Sequence, residues 1–180
     1  MVTKHTSIPE QSVLKHEEPQ YSYIDSFRGV AQIGQQPVNV DNVANLFLTA
    51  GPKWADTLMN IRDKIAGLFG LKTSKQMGDG QNQTKVVQYE VGQQMGIFKV
   101  VEKTENEIIL GEEDKHLNFK VSLLLETVAQ APNTKQISIT TAVKFNNFFG
   151  KAYFFPVKPV HGMIVKISLK NIIKQIESGI

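Results

Sequence analysis

The sequence predicts an α+β fold in which an antiparallel β-sheet curls around a long C-terminal α-helix, with two shorter helices after the first strand. Three observations predict it. From Ile97 to Asn147 apolar residues recur with period two over consecutive segments separated by short turns, the pattern of an antiparallel meander with one buried face. From about Pro156 to Glu177 the period becomes helical, and such a helix spans about 30 Å, the width of a small domain. Between an opening strand pattern and the meander lie two shorter helical patterns. A sheet with one apolar face needs a cover, and the C-terminal helix is the element long enough to supply it. This is the helix-grip arrangement, which leaves room for a cavity between sheet and helix.

Residues 1–20 are polar, carry two prolines and show no apolar period; they read as an N-terminal tail that orders only by docking. The single domain then runs over 21–178. In Tyr21–Val30, Tyr21, Tyr23, Asp25 and Phe27 alternate with Ser22, Ile24, Ser26 and Arg28, as in a strand. Asp41 is placed as N-cap of a short helix over Asn42–Leu48. Gly51-Pro52 opens the next helix, because proline at the first helical position loses no hydrogen bond. Trp54, Leu58, Ile61, Ile65, Leu68 and Phe69 form its apolar stripe and Gly70 its C-cap. Residues 72–94, rich in glycine and glutamine, read as an exposed excursion around a short strand-like run, Val86–Tyr89.

The meander follows as strands over Ile97–Lys103, Glu107–Gly111, Leu117–Ala129 and a last strand carrying Ile137, Ile139, Thr141, Val143 and Phe145, with Gln130–Thr134 as a turn. Phe119, Val121, Leu123, Ile139, Val143 and Phe145 share the face expected to meet the long helix, while Asn118, Lys120 and Ser122 take the other. In the C-terminal helix Val160, Ile164, Val165, Ile167, Leu169, Ile172 and Ile176 make a broad apolar stripe, and Lys166, Lys170 and Lys174 occupy the opposite side.

The chain of 180 residues is 41% hydrophobic and 21% charged, enough apolar content for one sizeable core. It has no cysteine, so disulfides, thiolate metal sites and cysteine nucleophiles are excluded. The net charge of +3 is too small to argue for a nucleic-acid partner. The first residues lack an apolar core of a secretory signal, and no run of residues is long and apolar enough to span a bilayer. The expectation is a cytoplasmic protein with no membrane span.

Few residues are placed for chemistry. His116, in the turn Glu112-Glu113-Asp114-Lys115-His116, is either a proton donor or acceptor at a cavity mouth or a histidine that caps backbone groups. His161, near the start of the long helix, is either a site residue or a hydrogen-bonded boundary residue. Asp25 lies on the aromatic face of the first strand and needs a partner if buried. Arg28 and Arg62 are the only arginines, and either could pair with it or anchor a ligand carboxylate. Trp54 belongs to the core or stacks on a ligand. The histidines and carboxylates lack metal-ligand spacing, so no metal is expected. Gly78-x-Gly80 has no helix behind it and is no phosphate loop.

Three segments resemble a bacterial family of unknown function, domain of unknown function 2867: Trp54–Thr73, Gly96–Leu124 and Thr140–Val165. The combination of Phe69-Gly70-Leu71, Gly111 to His116-Leu117, and Gly150-x-x-Tyr153-Phe154 carries the resemblance. The family in turn resembles the wider lipid-transfer and polyketide-cyclase class of helix-grip folds (Bet v 1-like, START-like). That resemblance implies a cavity for an apolar or amphipathic small molecule, without a cofactor, and in a minority of members an enzyme. The chain departs from the family pattern at Asn118, where an aspartate is expected, and at Gly162, where a basic residue often follows the helix histidine. The expected function is binding of such a molecule by Trp54, Phe119, Thr141, His161 and Arg62. The alternatives are a cyclase or isomerase using His116, His161 or Asp25, and a protein–protein module with a closed core.

Overall fold

A computed structural model describes residues 1–34, 37–52, 88–95 and 98–179. The predicted helix over Pro52–Gly70, Trp54, Arg62 and most of the excursion at 72–94 lie outside the described residues. Seven antiparallel strands form one sheet: β1 (Val2–His5), β2 (Tyr23–Gln32), β3 (Gln94–Met95), β4 (Phe98–Lys103), β5 (Glu107–Glu113), β6 (Leu117–Val128) and β7 (Ala131–Phe145), in the spatial order β1-β2-β7-β6-β5-β4-β3. Two α-helices are described, α1 (Val40–Thr49) and α2 (Phe148–Glu177). The fold is α+β, with a long C-terminal helix on an antiparallel sheet.

The odd-numbered face of the meander meets the helices, as its periodicity requires. Val121, Leu123, Leu125, Ile137, Ile139 and Phe27 form one cluster with Val165, Leu169, Ile172 and Ile176 of α2 and with Val40, Val43 and Ala44 of α1. Phe119 and Phe145 are only partly buried at its end, where Leu117, Val143, Tyr153 and Phe154 make a second cluster. Helix and sheet pack closely at Gly29: a Cβ there would fall 2.5 Å from Ile173 Cδ1. A side chain at this position would force the Ile173 side chain to another rotamer.

Helix α2 begins eight residues before the predicted start. Asn147 caps it, its side-chain oxygen accepting from the Gly150 amide at 3.2 Å, so Phe148-Phe149-Gly150 is its first turn rather than a connection. Pro156 and Pro159 therefore sit inside the helix, where each removes a backbone donor. Gly150 is required by contact: a Cβ there would stand 2.2 Å from the His116 carbonyl oxygen. The cap of α1 also differs. Asn39 and Asn42 form a reciprocal capping box, and Asp41, expected as the cap, is instead buried and bridges to Lys103 Nζ at 2.8 Å. The β6–β7 turn is tighter than predicted, and Pro132 and Asn133 belong to β7.

The first twenty residues are not a free tail. β1 adds an edge strand beside β2 in the register Lys4↔Phe27, and Val13–Gln20 forms a 3₁₀ helix. Ile8 and Leu14 pack against Ile109 on the face of the sheet turned away from α2. The docking is anchored by Glu107, a buried carboxylate that accepts from Ser12 Oγ at 2.5 Å, from the Val13 amide at 2.7 Å and from Ser122 Oγ. The composition of the segment hid this, because its partners are a carboxylate and hydroxyls rather than an apolar stripe.

Candidate functional site

Alternation along β2 and β7 places Asp25 and Thr141 side by side, in direct register, on the face toward α2. Two residues beyond the second helix proline, α2 lowers His161 onto this pair. His161 Nε2 lies 3.0 Å from Thr141 Oγ1 and 3.6 Å from Asp25 Oδ1. Asp25 Oδ2 accepts from the Tyr23 hydroxyl at 2.7 Å. The carboxylate is 0% exposed, and its Oδ1 has no hydrogen-bond partner among the described residues.

Burial pushes the Asp25 carboxyl up, but His161, the Tyr23 hydroxyl and the charge of Lys4 together outweigh it and hold it below the usual carboxylate range. The same contact acts in reverse on Tyr23, whose hydroxyl is raised by burial and by donation to Asp25. Lys4 reaches the cluster from β1, its Nζ 5.5 Å from the centroid of the Phe27 ring. A Cβ at Gly162 would meet Phe27, Asp25 Oδ2 and Lys4 Nζ at 3.7–3.8 Å. The cation thus comes from the N-terminal strand at the place where the family resemblance implies a basic residue in the helix.

The geometry limits the chemistry. In a nucleophile–histidine–carboxylate triad the two partners use different ring nitrogens. Here Thr141 and Asp25 both face Nε2, so the carboxylate does not orient the imidazole for attack by the hydroxyl. What the cluster offers is one buried carboxylate oxygen without a hydrogen bond and a histidine nitrogen converging on the sheet–helix interface. No group of three or more metal-ligating side chains occurs among the described residues.

Of the predicted site residues, Asp25, Thr141 and His161 come together. Phe119 shares their face of the sheet, with its ring edge-on to Phe98 at 6.0 Å. Trp54 and Arg62 lie outside the described residues, so the Asp25–Arg62 pairing does too. The Asp25–Arg28 pairing is overturned: Arg28 is on the opposite face and donates to the Ser7 carbonyl at 3.1 Å. His116 belongs elsewhere. Its Nδ1 is 3.1 Å from Asn147 Oδ1 and its backbone carbonyl accepts from Asn146, so it secures the start of α2. Five residues of β7 separate that level from Thr141, roughly 16 Å. Asn118 is part of the same corner, its amide 2.9 Å from that of Asn146. Tyr23 was missed as a site residue, although its i, i+2 spacing from Asp25 on one strand face was visible. Lys4 carried no such signal, since its place depends on β1 pairing.

A groove of about 700 Å³ lies on the other side of the sheet, lined by Tyr21, Glu17, Lys99, Val101, Lys120 and Lys144 among others. It is framed by the docked N-terminal segment and includes none of Asp25, Thr141 and His161, although Phe119 also lines it.

A seven-stranded antiparallel sheet, carrying a buried carboxylate–imidazole–hydroxyl cluster beneath a long C-terminal helix, defines an α+β protein with a polar site in an otherwise apolar interface. Among the described residues no helix is long and apolar enough to cross a membrane. The chain belongs to the family of proteins of unknown function DUF2867, whose model matches residues 18–168. No curated protein and no solved structure matches it.

Proposed function

We propose that the protein binds an amphipathic small molecule between the sheet and α2, in a helix-grip arrangement, with the molecule's polar end on Asp25. The observation that carries this reading is the Asp25 carboxylate, fully buried, whose Oδ1 makes no hydrogen bond among the described residues and has His161 Nε2 beside it at 3.6 Å. A buried acceptor short of a hydrogen bond is costly, and a hydroxyl or amine donor from a ligand would relieve that cost. The apolar side chains on the same face of the sheet, Phe27 and Phe119 among them, favour an apolar body. Cytoplasmic action is part of the reading, supported by a chain without cysteine.

The test is displacement of the fluorescent probe N-phenyl-1-naphthylamine by dodecylamine. Wild-type protein should bind both. A hydrogen bond to a charged group contributes about 1.5–3 kcal/mol, so Asp25→Asn should weaken dodecylamine by about tenfold or more. His116→Ala should leave both within about threefold, because its bonds hold the helix start. A probe that never binds would sink this reading in favour of a closed-core interaction module. Turnover of a cyclic or enone substrate that disappears in His161→Ala would favour the cyclase or isomerase instead.

A further inference from the structure

The outward face of α2 is divided along its length. Phe148, Ala152, Phe155, Pro159 and Met163 recur at i, i+4, i+7, i+11 and i+15 and are all exposed, which places them on one side of the helix. Phe148 is 76% exposed, Phe155 81% and Met163 56%. The same side continues as Lys166, Lys170 and Lys174, also exposed, while Lys151 and Lys158 border the aromatic part. Over its thirty residues the helix carries five lysines and one acid, Glu177 at the far end. Among the described residues no ion pair involves these lysines.

We propose that this face docks on a membrane surface containing anionic lipid. Large aromatic side chains left in water favour transfer to an apolar boundary, and the lysines on the same side need negative charge within a Debye length. The headgroup region of an anionic bilayer supplies both within a few ångströms: Phe148 and Phe155 enter the acyl boundary while the lysines reach phosphates. A second copy of the chain fits less well. An antiparallel pairing of two such helices would set phenylalanines against lysines, and a parallel one would set lysines against lysines. The inference does not depend on the proposed ligand, because neither Asp25 nor His161 is on this face.

Co-sedimentation tests it, using phosphatidylcholine vesicles with and without about 30% phosphatidylserine at about 0.1 M salt. Wild-type protein should pellet with the anionic vesicles and remain in solution with phosphatidylcholine alone. Phe148→Ser/Phe155→Ser should lower the partition by at least about tenfold, since burial of both rings is lost. Lys166→Gln/Lys170→Gln/Lys174→Gln should lower it by about tenfold and remove most of its salt dependence. All five side chains are exposed, so both variants should keep the wild-type circular dichroism and melting temperature, which confirms that they are folded. The proposal is overturned if anionic vesicles fail to pellet the wild type, or if the folded Phe148→Ser/Phe155→Ser variant pellets as well as wild type. It is also overturned if sedimentation velocity without lipid shows a dimer that this variant dissociates, which would assign the face to a second copy.

Discussion

On the face under α2, Leu123, Ile137 and Ile139 are sealed from water by Leu169 and Ile172, whereas on the other face, where residues 8–20 dock, Ser122 and Thr140 are equally dry. The first face is closed mainly by apolar area, with the Asp25–Thr141–His161 cluster as its polar inclusion. The second is closed by exchange of hydrogen bonds: Thr140 donates to Ser26 at 2.8 Å, and Ser122 and Ser12 to Glu107. The difference teaches that polar residues at alternate positions of a strand do not by themselves mark a wet face. Small hydroxyls can be buried when acceptors within the sheet itself, here Glu107 and Ser26, satisfy them. The two covers should therefore respond to different perturbations.

The largest effect should come from the apolar side. Leu169→Ala/Ile172→Ala leaves a cavity over the centre of the sheet, and each truncation costs about 2–5 kcal/mol. Urea denaturation should show most of the stability gone. A loss under about 1 kcal/mol for the pair would mean that α2 is peripheral to the core. Next comes Gly150→Ala. Its methyl group would meet the His116 backbone, which has no rotamer to change, so a loss of about 2 kcal/mol or more is expected from thermal unfolding.

Glu107→Ala should act on the opposite cover. It strips partners from two buried hydroxyls and from the Val13 amide, at about 1–3 kcal/mol. The expected signature is local: faster amide exchange and proteolysis within residues 8–20, with exchange at Leu169 and Ile172 slowed as in wild type. Equal loss of protection in both regions would show that the two faces unfold as one unit.

A smaller effect separates Asp25 by pH. Its carboxyl is held low in the folded state, so the stability it contributes is present above the ordinary carboxylate value of 3.8 and is lost as pH falls through the folded value. Asp25→Asn should therefore have a shallower acid limb below about pH 4 than wild type. Identical acid limbs would mean that His161, Tyr23 and Lys4 do not hold this group low. The smallest change is expected for Lys120→Gln. Its bridge to Glu17 at 2.8 Å is partly exposed on both sides, a setting in which ion pairs contribute about 1 kcal/mol or less.

The meander was legible because period-two burial and short turns are local properties, and the bounds of β4 to β7 differ from the sequence reading mainly at their ends. The start of α2 was not legible. Phe148-Phe149-Gly150 followed by two prolines looks like a break, and only the Asn147 cap and the fit of Gly150 against His116 make it helical. Asp25, Thr141 and His161 could each be singled out from the chain, as a charged residue on an aromatic strand face, a polar residue on an apolar strand face and a histidine beside an apolar stripe.

By itself the sequence determined the α+β class, the antiparallel meander, the apolar face of the sheet and the helix that covers it, because hydrophobic period follows directly from backbone geometry. Only the tertiary structure decided that Asp25 pairs with Tyr23 and His161 rather than Arg28, that Lys4 adds its charge from a seventh strand, and that residues 8–20 close the second face. Each of those depends on strand register and on contacts between residues as many as 136 positions apart, from Asp25 to His161, and no local pattern encodes which distant group will arrive to satisfy a buried one.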